Sequence, residues 1–336
     1  MTSRELVIKT LEFDKPSRIP RQLWLLPWAT SYYPEKVSQI RDDFPDDIIH
    51  SPCFRKEVPA VSGDPYAQGT YIDEWGCAFE NRQAGLIGEV KNPLVLTWED
   101  MEKIHVPVEN LTVDVDKINE FCQNHDEFVL GGCYPRIFER LQFIRGTENL
   151  MTDLAWQPEP LSVLINTVHQ HYLEEFEVWA KTDVDGLTFM DDWGTQRSLL
   201  ISPEMWRNIF KPLYRDYIEL AHQHGKKVFM HSDGYIHDIY PDLIELGLDA
   251  LNSQIFCMDI PDLGRNFKGK ITFWGEIDRQ YILPNGSQDE IIKAVQVVYE
   301  HLYQGGGVIA QCEFGTGAHP DNVYQVFKAW TEISPS

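Results

Sequence analysis

Short apolar segments alternate with longer amphipathic segments through most of the chain. The apolar segments end at turn residues and are typical of buried strands, whereas the longer segments repeat apolar residues every three or four positions, as helices do. The predicted strands beyond residue 100 are EFVLGGC (127–133), DGLTFMDD (185–192), KKVFMHS (226–232), LDALNS (248–253), KITFWGEID (270–278) and GVIAQCE (307–313). Helical patterns run up to about residue 181, and further helices are predicted over 202–225, 236–247, 288–306 and 321–330.

The first hundred residues follow this alternation less closely. A short amphipathic helix is predicted before residue 20, ending at Pro16, and RQLWLL (21–26) has the composition of a strand. The aromatic segment PWATSYYP (27–34) is predicted to be irregular. The region from about 50 to 100 is rich in Gly, Pro, Asp and aromatic residues, and its short strands predict a hairpin-like excursion.

The number of strand–helix units predicts the fold class. RQLWLL and one strand from the 50–100 region bring the count to about eight. Strands that alternate with helices form a parallel sheet, and eight such units close a barrel. We therefore predict an α/β fold, a (β/α)8 TIM barrel, as a single domain over residues 1–336 with an N-terminal excursion.

Polar side chains follow six successive strands of the predicted barrel. In such barrels the chemistry lies at the carboxyl ends of the strands, so these residues are expected to share one mouth. Packing alone does not explain polar groups at so many strand ends. The segments are Cys133-Tyr134-Pro135-Arg136, Asp191-Asp192-Trp193, His231-Ser232-Asp233, Asn252-Ser253-Gln254, Glu276-Ile277-Asp278 and Cys312-Glu313.

Composition and charge exclude several classes of function. The 336 residues include 29 Lys and Arg against 52 Asp and Glu, a formal net charge of −23, and 43% of them are hydrophobic. This composition indicates a folded protein, and its acidity disfavours nucleic acid or an anionic membrane as a partner. No apolar run approaches the roughly 18 residues of a membrane span, and no signal-peptide core follows Met1, so a cytoplasmic location is expected. The six cysteines form no CxxC pair, and most are expected to be buried thiols.

The second half of the chain resembles the uroporphyrinogen decarboxylase superfamily over roughly residues 125–330, and REL…LEFDKPSRIP adds a weaker N-terminal match. No one of the motifs is diagnostic, but all of them occur in the right order. The segments that carry the resemblance are ERLQFIRGTENLMTDLAWQPE, FMDDWGTQ, LISPEMWRNIFKPLYR, VFMHSDG, LDALNSQ, TFWGEIDRQYILPNGSQDEI and QCEFGTGAHPDNV.

The resemblance implies one of two chemistries. Uroporphyrinogen decarboxylases hold the substrate carboxylates with an arginine-rich loop after the first strand, but the corresponding LWLLPWATSYYPEK (23–36) contains no arginine, and Arg21 precedes the strand. The resemblance is therefore closer to the zinc-dependent methyltransferases that use a methyl-corrinoid. It implies a methyl transfer between a corrinoid and a thiol or pterin acceptor.

A metal site is also implied by the resemblance. The methyltransferases bind zinc through a His after one strand and a Cys near the last, positions that His231 and Cys312 occupy here. The thiol-alkylating members carry His-x-Cys, whereas this chain has His231-Ser232-Asp233, so Glu276 is predicted to be the third ligand. His, Glu and Cys leave an open fourth position on zinc. Asp233 is either the third ligand itself or the group that orients His231.

Other residues of the predicted mouth have open alternatives. Asp191, Asp192 and Asp233 are the predicted catalytic acids, although adjacent residues of a strand point to opposite sides, so at most one of Asp191 and Asp192 faces the axis. The other reading for these two is a helix cap. The alternative for Arg136 is a structural ion pair, and the alternative for His319 is an exposed position in a loop. The predicted cofactor-binding residues are Tyr134, Arg136, Gln254 and His319.

The primary prediction is a zinc-dependent methyltransferase, and two alternatives stay open. One is a metal-independent decarboxylase or lyase that uses Asp191 or Asp192. The other is a non-catalytic corrinoid- or tetrapyrrole-binding protein. Because the chain contains no recognisable corrinoid-binding domain, methyl transfer requires a corrinoid carrier protein as partner beside the small-molecule acceptor. The resemblance also implies a possible homodimer.

Overall fold

Eight parallel strands form a nearly closed barrel in the computed structural model, which describes residues 1–333. Around the barrel the strands follow the order β1, β11, β10, β9, β8, β7, β6, β2, and each hydrogen-bonded pair is parallel. The predicted fold class is therefore confirmed. The barrel strands are β1 (Arg21–Leu25), β2 (Ile48–His50), β6 (Phe128–Leu130), β7 (Gly186–Met190), β8 (Lys227–Ser232), β9 (Ala250–Ser253), β10 (Thr272–Trp274) and β11 (Val308–Phe314).

Helices surround the barrel and follow its strands. The predicted helix that begins after Ser202 is present as α8, because the Ser202 hydroxyl accepts a hydrogen bond from the Met205 N–H and caps the helix. The helices are α1 (Ser3–Leu11), α2 (Pro27–Tyr32), α3 (Pro34–Asp43), α4 (Val115–Gln123), α5 (Ile137–Arg145), α6 (Thr147–Trp156), α7 (Glu159–Ala180), α8 (Pro203–Gln223), α9 (Tyr240–Glu245), α10 (Ile260–Phe267), α11 (Ile282–Asn285), α12 (Gln288–Leu302) and α13 (Pro320–Glu332). Short 3-10 turns occupy Trp98–Lys103, Val108–Leu111, His237–Ile239 and Ile255–Cys257. None of the helices within residues 1–333 is both long and apolar enough to cross a membrane.

The N-terminal region departs from the prediction at two points. The aromatic segment 27–34 is helical, because Pro27 and Pro34 each occupy the first turn of a helix, where the missing N–H costs nothing. The second barrel strand is Ile48–His50, just before the region expected to supply it. That region instead contains the antiparallel sheet of β3 (Gly69–Ile72), β4 (Ala78–Asn81) and β5 (Glu89–Val90), which matches the predicted excursion.

Alternation along each strand separates the barrel interior from the helix layer. One apolar cluster fills the lower interior, and its strand residues are Ile48, Phe128, Leu130, Phe229, Ala250, Trp274 and Ile309. The outward positions pack against the helices in a second, larger cluster. His231 lies two residues after Phe229, and Asn252 lies two residues after Ala250. Both therefore point to the same inner face. The barrel interior therefore changes from apolar to polar toward the carboxyl ends of the strands.

Candidate active site

His231 and two aspartates form a compact group at the mouth of the barrel. The Nε2 atom of His231 lies 3.7 Å from Asp192 Oδ1 and 3.6 Å from Asp233 Oδ1. Asp192 follows β7 and Asp233 follows β8, so the parallel pairing of these two strands brings the three residues together. The Asp233 N–H also donates to Asp192 Oδ1 at 2.9 Å, which ties the two strand ends to each other.

The orientation of the His231 ring is set by Asn252. Nδ1 of His231 lies 2.6 Å from Asn252 Oδ1, while the amide nitrogen of Asn252 donates to Gln311 Oε1 at 3.1 Å and to the Trp274 carbonyl. Because the amide nitrogen is engaged by these two acceptors, the Asn252 oxygen faces Nδ1, which must carry the proton. The unprotonated side of a neutral His231 is then Nε2, and it faces Asp192 and Asp233.

A cluster of carboxylates surrounds Arg279 next to this group. The Arg279 guanidinium donates to Asp233, to Glu313 Oε1 at 3.0 Å, and lies 3.2 Å from Glu276 Oε1. Burial raises the pKa of Glu276 well above its usual value, and the charges of Asp233 and Glu313 raise it further, against the opposing effect of Arg279. Sequence reasoning missed Arg279, since it lies in the segment after β10 with no spacing signal that points into the mouth.

Cys312 does not lie with His231. In β11, Gln311 faces the interior and bonds Asn252, and Glu313 faces it and bonds Arg279, so Cys312 between them faces outward. Its side chain is buried in the apolar cluster together with Ala310 and Phe314. Burial raises the pKa of the Cys312 thiol, and the charges of Glu276 and Glu313 add to the shift. The structure therefore does not bring Cys312 together with His231.

An apolar cavity of about 440 Å³ opens beside the group of His231, Asp192 and Asp233, at the seam between β1 and β2. We refer to it as the mouth cavity, and its wall includes Trp24, His50, Tyr134, Met190, Trp274 and Glu313. The ring of Trp24 lies 5.3 Å from that of His231, centre to centre, so the cavity adjoins the imidazole. Burial lowers the pKa of His50 to about 4, which keeps that ring neutral at pH 7.

Comparison with known proteins agrees with this fold. Residues 71–333 match the family described as Uroporphyrinogen decarboxylase (URO-D), a span well over half the chain. The chain belongs to the uroporphyrinogen decarboxylase family. The resemblance found in the sequence is thereby confirmed. None of the curated proteins matches the sequence.

Solved structures with some similarity to this family member include two enzymes. A methyltransferase from Methanosarcina mazei is similar over 99% of both chains, with a TM-score of 0.68 and 14% sequence identity, which shows a common fold. A 3-keto-D-glucoside 4-epimerase from E. coli matches 65% of this chain and 83% of its own, at 14% identity and a TM-score of 0.39.

The two adjacent aspartates of this uroporphyrinogen decarboxylase family member point in opposite directions. Asp192 faces the mouth, whereas Asp191 is buried on the outer side, where it accepts hydrogen bonds from the Glu139 N–H at 2.9 Å and the Tyr214 hydroxyl at 2.7 Å. Burial and the charge of Glu139 raise the pKa of Asp191. Asp191 therefore holds the start of α5, which is the helix-capping alternative, and does not reach the mouth.

The predicted cofactor-binding residues are scattered. Tyr134 and Arg136 line a cavity beside the mouth, and Tyr134 also lines the mouth cavity itself. The side-chain oxygen of Gln254 accepts the Gly234 N–H at 3.0 Å and so supports the loop after β8. His319 is exposed at the start of α13. The structure brings Tyr134 and Arg136 together and leaves Gln254 and His319 apart from them.

The residues around His231 suit a divalent cation. Within residues 1–333, one group of three His, Cys, Asp or Glu side chains has potential ligand atoms that all lie within 4.8 Å of one another. Its members are Asp192, His231 and Asp233. Their ligands are one imidazole nitrogen and two carboxylate oxygens, which zinc accepts. The contact between Asn252 and Nδ1 is the second hydrogen bond that metal-binding histidines commonly make. Glu276 and Cys312 are not members of this group.

Proposed function

We propose that the protein is a zinc-dependent methyltransferase that moves a methyl group between a corrinoid, held by a partner protein, and a small thiol or pterin acceptor. Membership of the uroporphyrinogen decarboxylase family supports this proposal. The Methanosarcina mazei protein that shares the fold over its whole length is itself described as a methyltransferase.

The proposal depends on the contacts of one atom, His231 Nε2. Because Asn252 holds the proton on Nδ1, a neutral His231 directs a lone pair from Nε2 at Asp192 and Asp233. These three electron-rich groups repel one another, and Arg279, which donates to Asp233 Oδ1, offsets part of that repulsion. A metal ion or a proton on Nε2 removes this repulsion, and the carboxylates on either side favour a divalent ion.

The side chains that would hold zinc are His231, Asp192 and Asp233. When bound, zinc supplies Lewis acidity, which lowers the pKa of a thiol from about 8.5 so that the nucleophilic thiolate is present at neutral pH. Asn252 orients the imidazole. Arg279 balances the charge of Asp233, and the Trp24 ring lies beside the imidazole.

The wall of the mouth cavity disfavours decarboxylation of a tetrapyrrole. The segment after β1 forms α2, which contains no basic residue, and the cavity is lined mainly by apolar and aromatic side chains with Arg41 as its single arginine among the described residues. Eight substrate carboxylates need several arginines, since each buried carboxylate requires a paired charge. A neutral or singly charged acceptor fits this surface.

Zinc titration of the metal-free protein tests the site. We expect one zinc per chain in the wild type and loss of tight binding in His231→Ala. Asn252→Ala is expected to weaken the affinity by about 10- to 100-fold, because His231 loses the partner that orients it. Ser253→Ala is the matched control, since Ser253 lies next in the same strand but bonds the Tyr240 hydroxyl on the outer side.

Cys312→Ala separates the two possible ligand sets. If Asp192 and Asp233 are the ligands with His231, this variant binds zinc as the wild type does. Loss of zinc in Cys312→Ala, with binding unaffected in Asp192→Asn and Asp233→Asn, would restore His231, Glu276 and Cys312 as the ligand set. Unchanged zinc affinity in His231→Ala would eliminate both sets.

Demethylation of methylcobalamin in the presence of a thiol tests the reaction. The zinc-loaded wild type is expected to transfer the methyl group, and His231→Ala is expected not to. Release of carbon dioxide from a carboxylate substrate by the metal-free protein would indicate the lyase alternative. Tetrapyrrole binding without either activity would indicate a binding protein.

A further inference from the structure

A second cavity of about 330 Å³ lies between the barrel and the inserted antiparallel sheet. We call it the side cavity, and the residues of its wall that matter here are Arg55, Tyr71, Phe79, Tyr134, Arg136 and Glu175. Tyr134 belongs to the walls of both cavities, so the side cavity adjoins the mouth cavity at this residue. Two aromatic residues of the inserted sheet, Tyr71 and Phe79, belong to its wall.

Arg136 is the arginine of the side-cavity wall that has no ion pair among residues 1–333. Arg140, also in the wall, is paired with Asp73 and Glu74, and Arg55 lies 3.6 Å from Glu175. Arg136 has no ion pair and no side-chain hydrogen bond with any residue in 1–333. Burial raises the pKa of Glu139, Tyr134 and Tyr172, and the charge of Arg136 opposes that shift at each of these three groups.

The side cavity also contains buried polar atoms without partners. Arg55 Nε and Asn110 Oδ1 are buried and have no hydrogen-bond partner within the described chain. A buried N–H that lacks an acceptor costs on the order of 1–3 kcal/mol, so such an atom indicates a partner that is absent from the protein itself. The Arg55 N–H therefore requires an acceptor, and the half-buried Arg136 guanidinium can bind one.

The direction of a hydrogen-bond chain leaves the Tyr134 proton free. Gln22 Oε1 accepts from the indole N–H groups of Trp24 at 3.1 Å and Trp274 at 2.8 Å, and indole nitrogens only donate. The Gln22 amide nitrogen therefore faces His50 Nε2, which accepts its hydrogen bond at 3.3 Å. The proton of the neutral His50 ring is then on Nδ1, which donates to the Tyr134 oxygen at 2.8 Å. The hydroxyl proton of Tyr134 is left to donate to a ligand.

We propose that the side cavity binds the carboxylate group of an aromatic or otherwise flat substrate, held by the Arg136 guanidinium and the Tyr134 hydroxyl. A carboxylate accepts hydrogen bonds from both groups and balances the unpaired charge of Arg136. The ring of the ligand packs against Tyr71 and Phe79, and the adjoining mouth cavity receives its reacting end. The inference rests on the proposed function only in naming this ligand a substrate of the methyl transfer.

Calorimetric titration with benzoate and with its neutral analogue benzamide tests the proposal on the purified, metal-free protein. We expect benzoate to bind more tightly than benzamide in the wild type. Arg136→Gln is expected to weaken benzoate binding by about tenfold or more and to leave benzamide binding unchanged. Tyr134→Phe is expected to weaken benzoate binding by roughly 3- to 10-fold, because one donor is lost.

Arg215→Gln is the matched control. It removes the same charge from the exposed surface of α8, so benzoate affinity should equal that of the wild type. Arg136→Gln is expected to fold normally, since its side chain makes no hydrogen bond, and a circular dichroism melting curve verifies this. Equal affinities for benzoate and benzamide, or an unchanged benzoate affinity in Arg136→Gln, would overturn the proposal.

The outcomes distinguish this inference from the proposed function. Benzoate binding is measured without metal and without methyl transfer, so it can succeed where demethylation of methylcobalamin fails. Methyl transfer to a neutral thiol can likewise succeed where charge-dependent binding of benzoate fails. Each result therefore decides one of the two proposals alone.

Discussion

At the scale of single residues, side-chain direction decides which groups can react. His231 and Asp192 face the mouth, whereas Asp191 and Cys312 are buried against the helices. Asp191 is adjacent to Asp192 in the sequence, and Cys312 has an expected role beside His231. Alternation along the strands nevertheless places Asp191 and Cys312 on the outer face. The partners of a side chain then set its chemistry, as Asn252 does by fixing the proton position of His231.

Glu175 provides a prediction at this scale. Burial raises its pKa from the usual 4.5 to about 7, although Arg55 opposes the shift. The folded protein therefore holds a proton that the unfolded chain has lost between these two pH values, and its stability falls as pH rises through this window. In Glu175→Gln this fall is absent, so its free energy of unfolding relative to wild type should rise by up to about 3 kcal/mol between pH 5 and 8.

Urea unfolding at a series of pH values measures this difference. Glu174→Gln is the matched control, because the neighbouring Glu174 is exposed on the same helix. Its pH profile should be parallel to that of the wild type. If the Glu175→Gln profile is parallel as well, Glu175 does not hold the proton.

At the scale of elements, helix ends and strand faces follow from local chemistry. Pro27 and Pro34 begin α2 and α3, and Ser202 caps α8, each at a helix end where these residue types are favoured. In β11, the polar residues Gln311 and Glu313 alternate with the apolar outward positions. That alternation is a signal in the sequence that could have assigned Cys312 to the outer face.

The cap of α8 gives the prediction for this scale. Ser202→Ala removes the acceptor of the Met205 N–H, and we expect a loss of about 1 kcal/mol in the free energy of unfolding. Ser38→Ala, at an exposed interior position of α3, should be neutral or slightly stabilising, because alanine is the better helix former. Chemical denaturation of both variants provides the comparison. Equal stability of Ser202→Ala and wild type would show that the cap contributes nothing.

At the scale of the whole molecule, the barrel closes at the seam between β1 and β2 without a regular ladder of hydrogen bonds. Side chains of the loop before β2 replace that ladder. Asp46 Oδ1 accepts the Leu23 N–H at 2.6 Å, and Asp47 Oδ2 accepts the Arg21 N–H at 2.9 Å. Asp47 also pairs with Arg18 at 2.6 Å and accepts a hydrogen bond from Ser3. One buried carboxylate thus joins α1, the loop before β1 and the seam.

We expect Asp47→Ala to destabilise the entire barrel. The variant loses several charge-assisted hydrogen bonds at a buried position and leaves Arg18 without its partner, at a cost of about 3 kcal/mol. Because the seam completes the barrel, the change should lower the midpoint of the main thermal transition. Asp42→Ala, which removes an exposed carboxylate of α3, should leave the midpoint in place. If Asp47→Ala unfolds at the same midpoint temperature as the wild type, contacts other than those of Asp47 hold the barrel closed.

The prediction from sequence was strongest where local patterns are strong. The strands from residue 127 onward and the long helices were found, because apolar runs and helical periodicity are properties of short segments. Ile48–His50 was missed, since three residues carry too little pattern to distinguish a strand. The side cavity was not foreseen, because its walls come from the inserted sheet, α5 and α7, which are distant in sequence.

By itself, the sequence determined the barrel class, the family and the polar character of the strand ends. These properties depend on composition and spacing within short segments. The tertiary structure decided which of the polar groups meet: Asp192 with His231 and Asp233, and Arg279 with Glu276 and Glu313. Apart from β11, the barrel strands are covered on both faces and carry little polarity difference between them, so their sequences leave the inward side open. Closure of the barrel determines which face points inward, because only side chains on the inner face can contact one another across the mouth.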